Sequence, residues 1–285
     1  MGSISMEMIK ALREKTGMGI ADVKKALEDS SGDMEKAELE LRKKAAGKAI
    51  GKSDRATGQG VIVIKTRGNT AVIGEFCCEQ EPTTTNVRFV EFVEMAMNLA
   101  LETNASSMEE LLQQKTNDGT LQDTCKGLIG MLSENLVPRR LARLQSPAGG
   151  VFGQYIHFNK RAGAVIAIEL AGADAQKVAA AGNDICMHSV ALRPVAVSRD
   201  QVDQKILATE RELALEKVKD KPAQMQEKII DGMMNKYFQE NVLLEQPFVK
   251  DATGKTSVKE MLDEAAKSAG GTAKVVGFIR YELGL

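Results

Sequence analysis

Few side chains in this sequence are of the types that carry out acid–base or nucleophilic chemistry. Histidine occurs only at positions 157 and 188, far apart in sequence. An imidazole can serve as a general base, and a pair of imidazoles at close spacing can hold a metal ion. The separation of His157 and His188 predicts neither arrangement. Each of the two is either a buried structural residue or part of a protein interface, and a catalytic histidine is the least favoured interpretation.

The four cysteines give no framework for disulfides or zinc. Cys77 and Cys78 are adjacent, with Glu79 and Glu81 close behind them, whereas the other two stand alone. Adjacent residues of a strand point to opposite faces, so one metal ion would not easily take both thiols. Two repeated C-x-x-C pairs would be needed for a common zinc site. The sequence therefore predicts reduced, structural thiols, with no metal and no cofactor.

Motifs for nucleotide binding and hydrolysis are missing from the sequence. No phosphate loop with the complete pattern G-x-x-x-x-G-K-[ST] occurs, and no G-x-G-x-x-G opens a helix after a strand. No G-x-S-x-G turn presents a serine nucleophile. We expect a protein that is not an enzyme and has no nucleotide site of its own.

Charge and composition also limit the partners. The 38 basic and 39 acidic side chains nearly cancel, so no overall field attracts nucleic acid. Tryptophan is missing and only three tyrosines occur, which disfavours a platform for stacking bases. No run of about 18 apolar residues predicts a membrane span, and Met1–Met6 lacks the features of a targeting segment. These observations favour a cytoplasmic protein without specific nucleic-acid binding.

Residues 1–50 show the periodicity of three short helices. Their apolar residues recur every three or four positions: Met8, Leu12, Ile20, Val23, Leu27, Met34, Ala37, Leu41 and Ala45. Gly32 is suited to end one helix, and Asp33 is suited to cap the next. A basic and glycine-containing linker follows at 51–60. The sequence predicts a small helical module that binds a partner, because so small a core has no room for a catalytic pocket.

The remainder of the chain contains one pattern twice. Two apolar strands around a turn at Gly68-Asn69 are followed by a helix, and the same order recurs from Val151 onwards. We therefore predict an α+β fold with a duplicated hairpin-plus-helix core. Its first subdomain covers 61–144, and its second covers 145–198 and 242–285. Two charged helices at 199–241 form an inserted helical hairpin between the parts of the second subdomain.

The segment Leu12–Leu27, with Thr16-Gly17-Met18-Gly19 at its centre, resembles the N-terminal signature of the elongation factor Ts family. Further matches are distributed along the chain in the order of that family: Glu134-Asn135, Arg139-Arg140, Met187-His188, Gln246-Pro247-Phe248 and Gly277–Tyr281. The resemblance implies a ubiquitin-associated-like module at the N-terminus and a coiled-coil hairpin near 200–240.

The resemblance also implies a function and a partner. Members of the family bind the GTPase elongation factor Tu and promote release of its GDP. On this basis we expect a partner-binding set comprising Arg13, Ile20, Ala21, Lys24, His157 and His188. The helical hairpin implies a homodimer or a two-plus-two assembly. Each of these residues also has a purely structural interpretation, such as a core position for Ile20 and a solvated one for Lys24.

One segment departs from the family pattern. Where the family carries Thr-Asp-Phe-Val, associated with expelling Mg²⁺ from the partner's nucleotide site, this chain has Gln80-Glu81-Pro82-Thr83. Glu81 keeps a carboxylate on a longer side chain, whereas Pro82 replaces the aromatic ring by a small ring. The segment is either a modified exchange element or only a turn.

The alternative function is a binding adaptor, in which the three-helix module recognises RNA or a protein tag. The basic run between Arg42 and Arg55 is its best support. A salt-dependent affinity for RNA, without binding to elongation factor Tu, would favour this alternative.

Overall fold

A computed structural model describes residues 4–52, 54–117 and 119–285, with the backbone alone at 46, 48–50 and 223. Residues 1–3 of the predicted N-terminal module and Ser53 of the predicted linker lie outside the described residues. The chain divides into two compact units. The first comprises the described parts of Met1–Ile62, Gly74–Ala142 and Leu283–Leu285, and the second comprises Val63–Ile73 and Arg143–Glu282.

Three helices open the first unit: α1 (Met6–Thr16), α2 (Ile20–Asp29) and α3 (Met34–Ile50). Ser5 caps α1 by accepting a hydrogen bond from the Met8 amide, and Gly17 ends it in the left-handed conformation at φ 65°. Asp33 accepts from the Glu35 and Lys36 amides at 3.1 Å and so caps α3, as predicted. The buried core of the three helices is apolar: Ile9, Leu12, Met18, Val23, Ala26, Leu27, Ala37, Leu41 and Ala45.

Mixed strands and helices follow these three helices. The strands of this part are β1 (Gln59–Arg67), β2 (Thr70–Cys78), β3 (Lys115–Thr116), β4 (Gly119–Thr120) and β5 (Leu136–Gln145). Its helices are a 3-10 helix (Glu81–Thr85), α4 (Val87–Glu102), α5 (Met108–Leu112) and α6 (Leu121–Leu132). One sheet has the order β1-β2-β5. Helix α3 packs on α6. Position 130 has no room for a side chain, because Ala45 of α3 lies directly against Gly130 of α6.

The second unit contains an antiparallel sheet with the order β6-β7-β8. Its strands are β6 (Val151–Ile156), β7 (Ala162–Ala171) and β8 (Thr272–Glu282), and its covering helices are α7 (Ala175–Leu192) and α10 (Val258–Ser268). Gly153 on β6 directly contacts Gly182 on α7, and a methyl group on either would overlap the other's backbone. This contact lets the helix approach the sheet closely enough to seal the core.

A pair of helices, α8 (Gln204–Val218) and α9 (Ala223–Asn241), packs side by side in the second unit. Leu207 lies near Phe238 at one end of the pair, and Val218 lies near Ile230 at the other. The helices therefore run antiparallel. At their base, Arg199 forms two hydrogen bonds with Glu245 at 2.5 and 2.6 Å. Its guanidinium also lies over the Phe238 ring at 4.4 Å.

The structure confirms the predicted mixture of helices and strands. Among the described residues, no helix has both the length and the apolar character needed to cross a bilayer. Strand β5 is an addition to the prediction, which assigned no element to its residues.

Candidate functional site

The segment between β2 and α4 forms an exposed tip at Glu81 and Pro82. Pro82 lies in the first turn of the 3-10 helix, where a residue without an N–H is well tolerated. The hydroxyls of Thr84 and Thr85 donate to the carbonyls of Glu81 and Pro82 at 2.7 and 3.0 Å. These local bonds use the threonine hydroxyls inside the turn and leave Glu81 and Pro82 facing solvent.

Two long-range contacts hold this tip from behind. The buried Thr83 hydroxyl donates to Glu134 Oε2 at 2.7 Å. Glu79 accepts from the Asn135 amide at 2.6 Å, and Asn135 Nδ2 donates to the Arg55 carbonyl at 2.8 Å. Both contacts are made by Glu134 and Asn135, in the turn that follows α6. Ser133 adopts the left-handed conformation at φ 59° at the start of this turn. The predicted residues Gln80–Thr83 thus lie on a braced turn.

The tip leads into the start of α4, close to the N-terminal module. Asn86 caps α4 by accepting from the Arg88 amide at 3.0 Å. The Arg88 guanidinium donates to the Glu14 carbonyl at 2.9 Å. Arg88 lines a groove of about 710 Å³ together with Arg13 and Ile20 of the module. The structure therefore brings two predicted residues, Arg13 and Ile20, to the element that follows the tip.

The lining of this groove combines apolar side chains with charges of both signs, because Glu7 and Glu14 accompany the basic residues. Ile20 is 53% exposed, and Val87, which precedes Arg88 in the first turn of α4, is 69% exposed. The other two predicted residues of the module, Ala21 and Lys24, lie on the exposed side of α2, outside the groove lining. Sequence reasoning missed Val87 and Arg88. Val87 lies off the buried stripe that begins at Phe89, and an apolar residue off the stripe is the signal that marks it.

Behind the tip, β2 ends in groups that take part in packing. Glu75 is fully buried and pairs with Arg140 at 2.5 Å and with Arg139 at 3.5 Å. Burial, reinforced by the Glu75 carboxylate, raises the pKa of Cys77 to about 12. Burial raises the pKa of Cys78 to about 11. Both thiols are therefore protonated near neutral pH and are poor nucleophiles.

In the second unit, His157 lies at the turn between β6 and β7. Its Nδ1 lies 3.3 Å from the Tyr155 hydroxyl, and its ring lies 4.5 Å from that of Phe158. Phe158 is 87% exposed, which is unusual for a large aromatic side chain. Sequence reasoning did not single out Phe158. The turn presents an imidazole and a phenyl ring side by side.

His188 has a different environment, in the core of the second unit. Its Nδ1 accepts from the Val249 amide at 3.1 Å, so its Nε2 carries the proton and donates to Gln246 Oε1 at 2.9 Å. Burial lowers the pKa of His188 below its ordinary value. The ring is fully buried, and any contribution to a surface must pass through the 246–249 segment that it holds.

The arrangement is suited to contact with another macromolecule more than to covalent chemistry. Within the part of the chain that the structure describes, no group of three or more His, Cys, Asp or Glu side chains is placed to hold a metal ion. The exposed features are a braced acidic tip, a groove with an apolar and charged lining, and an aromatic turn.

Comparison with known proteins gives a consistent result. Residues 83–285 match the family model described as elongation factor TS. An elongation factor Ts from Nitratiruptor is 38% identical over 99% of this chain and 93% of its own length. Those of Azorhizobium caulinodans and Prosthecochloris aestuarii are each 37% identical over the whole chain, covering 93% and 100% of the relatives. The chain therefore belongs to the elongation factor Ts family of translation elongation factors.

Proposed function

We propose that this chain binds the GTPase elongation factor Tu and promotes release of GDP from it. The observation that carries the proposal is the exposed Glu81–Pro82 tip, held by the Thr83–Glu134 hydrogen bond and followed by a groove with an apolar and charged lining. A turn that long-range hydrogen bonds hold in place, next to a groove that can bind a partner, is suited to displacing groups in that partner. Family membership supports the same function.

Such a protein needs no catalytic groups. An exchange factor acts through a coupling free energy, because it binds the nucleotide-free partner more tightly than the GDP-bound partner. The exchange factor therefore weakens the binding of GDP, and GDP weakens the binding of the exchange factor by the same ratio. We therefore propose that the chain is not an enzyme and needs no cofactor, and that it works in the cytoplasm. The high pKa values of Cys77 and Cys78 agree with a role without covalent chemistry.

The partner surface extends over several elements in this proposal. The module at 1–50, with the resemblance to ubiquitin-associated domains noted above, contributes Arg13, Ile20, Ala21 and Lys24. The second core subdomain contributes His157, together with the exposed Phe158 ring. His188 acts indirectly, by fixing the segment that ends at the exposed Val249.

At the tip, Glu81 acts on the metal and Pro82 acts as a stiff spacer. Mg²⁺ binds GDP through phosphate oxygens and retains several water ligands in a near-octahedral shell. A carboxylate brought close to this shell competes with the phosphate for the metal and weakens one anchor of the nucleotide. Pro82 cannot fill a pocket as an aromatic ring does, but it limits the motion of the turn that carries Glu81.

Release of fluorescently labelled GDP from elongation factor Tu, measured by stopped flow with and without this protein, tests the proposal. We expect acceleration by the wild type and a slower step with Glu81→Ala. Glu102→Ala is the matched control, because it removes an exposed carboxylate at the opposite end of α4. Pro82→Phe tests whether the partner still has room for an aromatic wedge, in which case exchange speeds up.

The outcomes separate the proposal from its alternative. A normal rate of GDP release with Glu81→Ala would mean that another part of the core accelerates the release. No acceleration by the wild type, together with a salt-dependent RNA affinity, would favour an RNA- or protein-binding adaptor.

We further propose that the helical hairpin at 199–241 is a coiled coil that pairs two copies of the chain. Ile206 and Leu213 lie seven residues apart on α8 and are exposed, as a pairing seam requires. Static light scattering on a variant with α8 and α9 replaced by a short Gly-Ser loop tests this. We expect fewer copies in each particle, with each copy still folded. An unchanged number of copies would exclude the hairpin as the pairing element.

A further inference from the structure

We propose that Arg88 is a positioning residue that fixes the N-terminal module against the start of α4 and so sets the spacing between the partner-binding patch and the Glu81–Pro82 tip. The effect on nucleotide exchange rests on the proposed function. The link between Arg88 and the module rests on the geometry alone.

The link joins two helix ends. Glu14 lies in the last turn of α1, where carbonyl groups have no intrahelical donor. The Gly17 amide satisfies the Arg13 carbonyl at 2.7 Å, and the Arg88 guanidinium satisfies the Glu14 carbonyl at 2.9 Å. A positive charge at a helix C-terminus also interacts favourably with the helix dipole. Arg88 therefore completes the cap of α1 from outside the module.

The other end of the link is equally fixed. Asn86 accepts from the Arg88 amide, so the backbone of Arg88 is part of the α4 cap. The same guanidinium lies 3.8 Å from Glu91 Oε2, one turn further along α4. An arginine can reach both groups, because its planar head carries five donors in a fixed fork, whereas a lysine presents a single charge. The side chain thus acts as a short strut between α4 and α1.

The module also contacts helix α6, within the same unit. Helix α3 packs on α6 through Ala45 and Gly130, and Gly17 lies against the Met131 side chain. The Arg88 contact is on the groove side of the module, where Arg13 and Ile20 line the same surface. Loss of the contact would let α1 and α2 pivot about the α3–α6 packing and change the distance from Ile20 to the tip.

Steady-state exchange with elongation factor Tu tests the functional consequence. We expect Arg88→Met to raise the KM for the GDP-bound partner about three- to tenfold with little change in kcat, the range for loss of one charge-assisted hydrogen bond on a partly exposed side chain. Arg88→Lys should recover part of the loss. Glu91→Gln is the matched control: it removes the ion pair but leaves the bond to Glu14, and should behave as wild type.

A distance measurement on the free protein tests the link directly. Spin labels at Lys25→Cys on α2 and Met95→Cys on α4 report the spacing, and the four native cysteines are buried and do not compete for the label. We expect a narrow distance distribution in the otherwise wild-type protein and in Glu91→Gln. Arg88→Met should give a broader one. Urea denaturation of each variant confirms that the comparison is between folded proteins.

The combined results decide the inference. A raised KM with an unchanged distance distribution would mean that Arg88 contacts the partner itself, and would overturn the positioning role. Unchanged values in both measurements would overturn it as well. If the wild type does not accelerate GDP release at all, the proposed function fails, and the distance distribution alone decides whether Arg88 sets the spacing.

Discussion

Removal of the Thr83 hydroxyl should loosen the tip without changing its shape. Thr83→Val keeps the branched side chain and deletes the donor that binds Glu134 at 2.7 Å. A hydrogen bond to a charged group contributes about 1.5–3 kcal/mol. Glu134 is half-exposed, so water can replace the donor in part, and we take about 1 kcal/mol as the expected loss.

Hydrogen exchange measures this loss at the site. The Thr83 amide donates to the Gln80 carbonyl at 3.2 Å, and the Asn86 amide donates to the Thr83 carbonyl at 3.0 Å. When local opening and closing are fast, the exchange rate is proportional to the opening constant. A loss of about 1 kcal/mol then corresponds to about fivefold faster exchange of these two amides, since about 1.4 kcal/mol is tenfold.

Thr84→Val is the matched control for this measurement. Its hydroxyl also makes a 2.7 Å bond, but to the Glu81 carbonyl within the same turn. Loss of that bond removes a local contact and leaves the brace to Glu134 intact. Equal exchange rates in the two variants, or no change in Thr83→Val, would refute the claim that Glu134 braces the tip. Slower GDP release should accompany the faster hydrogen exchange in Thr83→Val alone.

Further predictions concern the stability of the second unit. Gly153→Ala should destabilise the fold by about 1–3 kcal/mol in urea titrations, because its methyl group would overlap the Gly182 backbone. The exposed helix position Gly232 has open space, and Gly232→Ala should stabilise by about 0.5–1 kcal/mol. Because burial lowers the folded pKa of His188, the unfolded state binds more protons below pH 6.5, and unfolding free energy should fall as the pH drops through this value, by at most about 1.4 kcal/mol per pH unit. His188→Gln should flatten this slope between pH 6.5 and 5.5, and an unchanged slope would exclude His188 as its source.

Much of the local structure could be predicted from the sequence. Apolar side chains at every third or fourth position predict the three N-terminal helices and the helical pair. Apolar side chains in strand-like patterns predict both hairpins. Gly32 and Asp33 gave the boundary between α2 and α3 because their preferences depend only on neighbouring backbone. The mixed α+β class follows from the order of these elements, and the structure confirms it.

Strand β5 shows where such reasoning failed. Pro138, Arg139 and Arg140 interrupt the apolar alternation expected of a strand. The arginines are accommodated because Glu75, on the neighbouring strand, offers a buried carboxylate to both. A carboxylate and two guanidiniums that are distant in sequence become partners only when the strands pair.

The candidate site depended on the tertiary structure for the same reason. The sequence identified Gln80–Thr83 through its family resemblance, and identified His157 and His188 by their residue type. It did not indicate that Glu134, 51 residues away, braces Thr83, or that the Arg88 side chain reaches Glu14. Local patterns determine which helices and strands form, because capping and periodicity act over a few residues. Which side chains are exposed, buried or joined across the fold depends on packing between distant segments, and only the folded chain decides it.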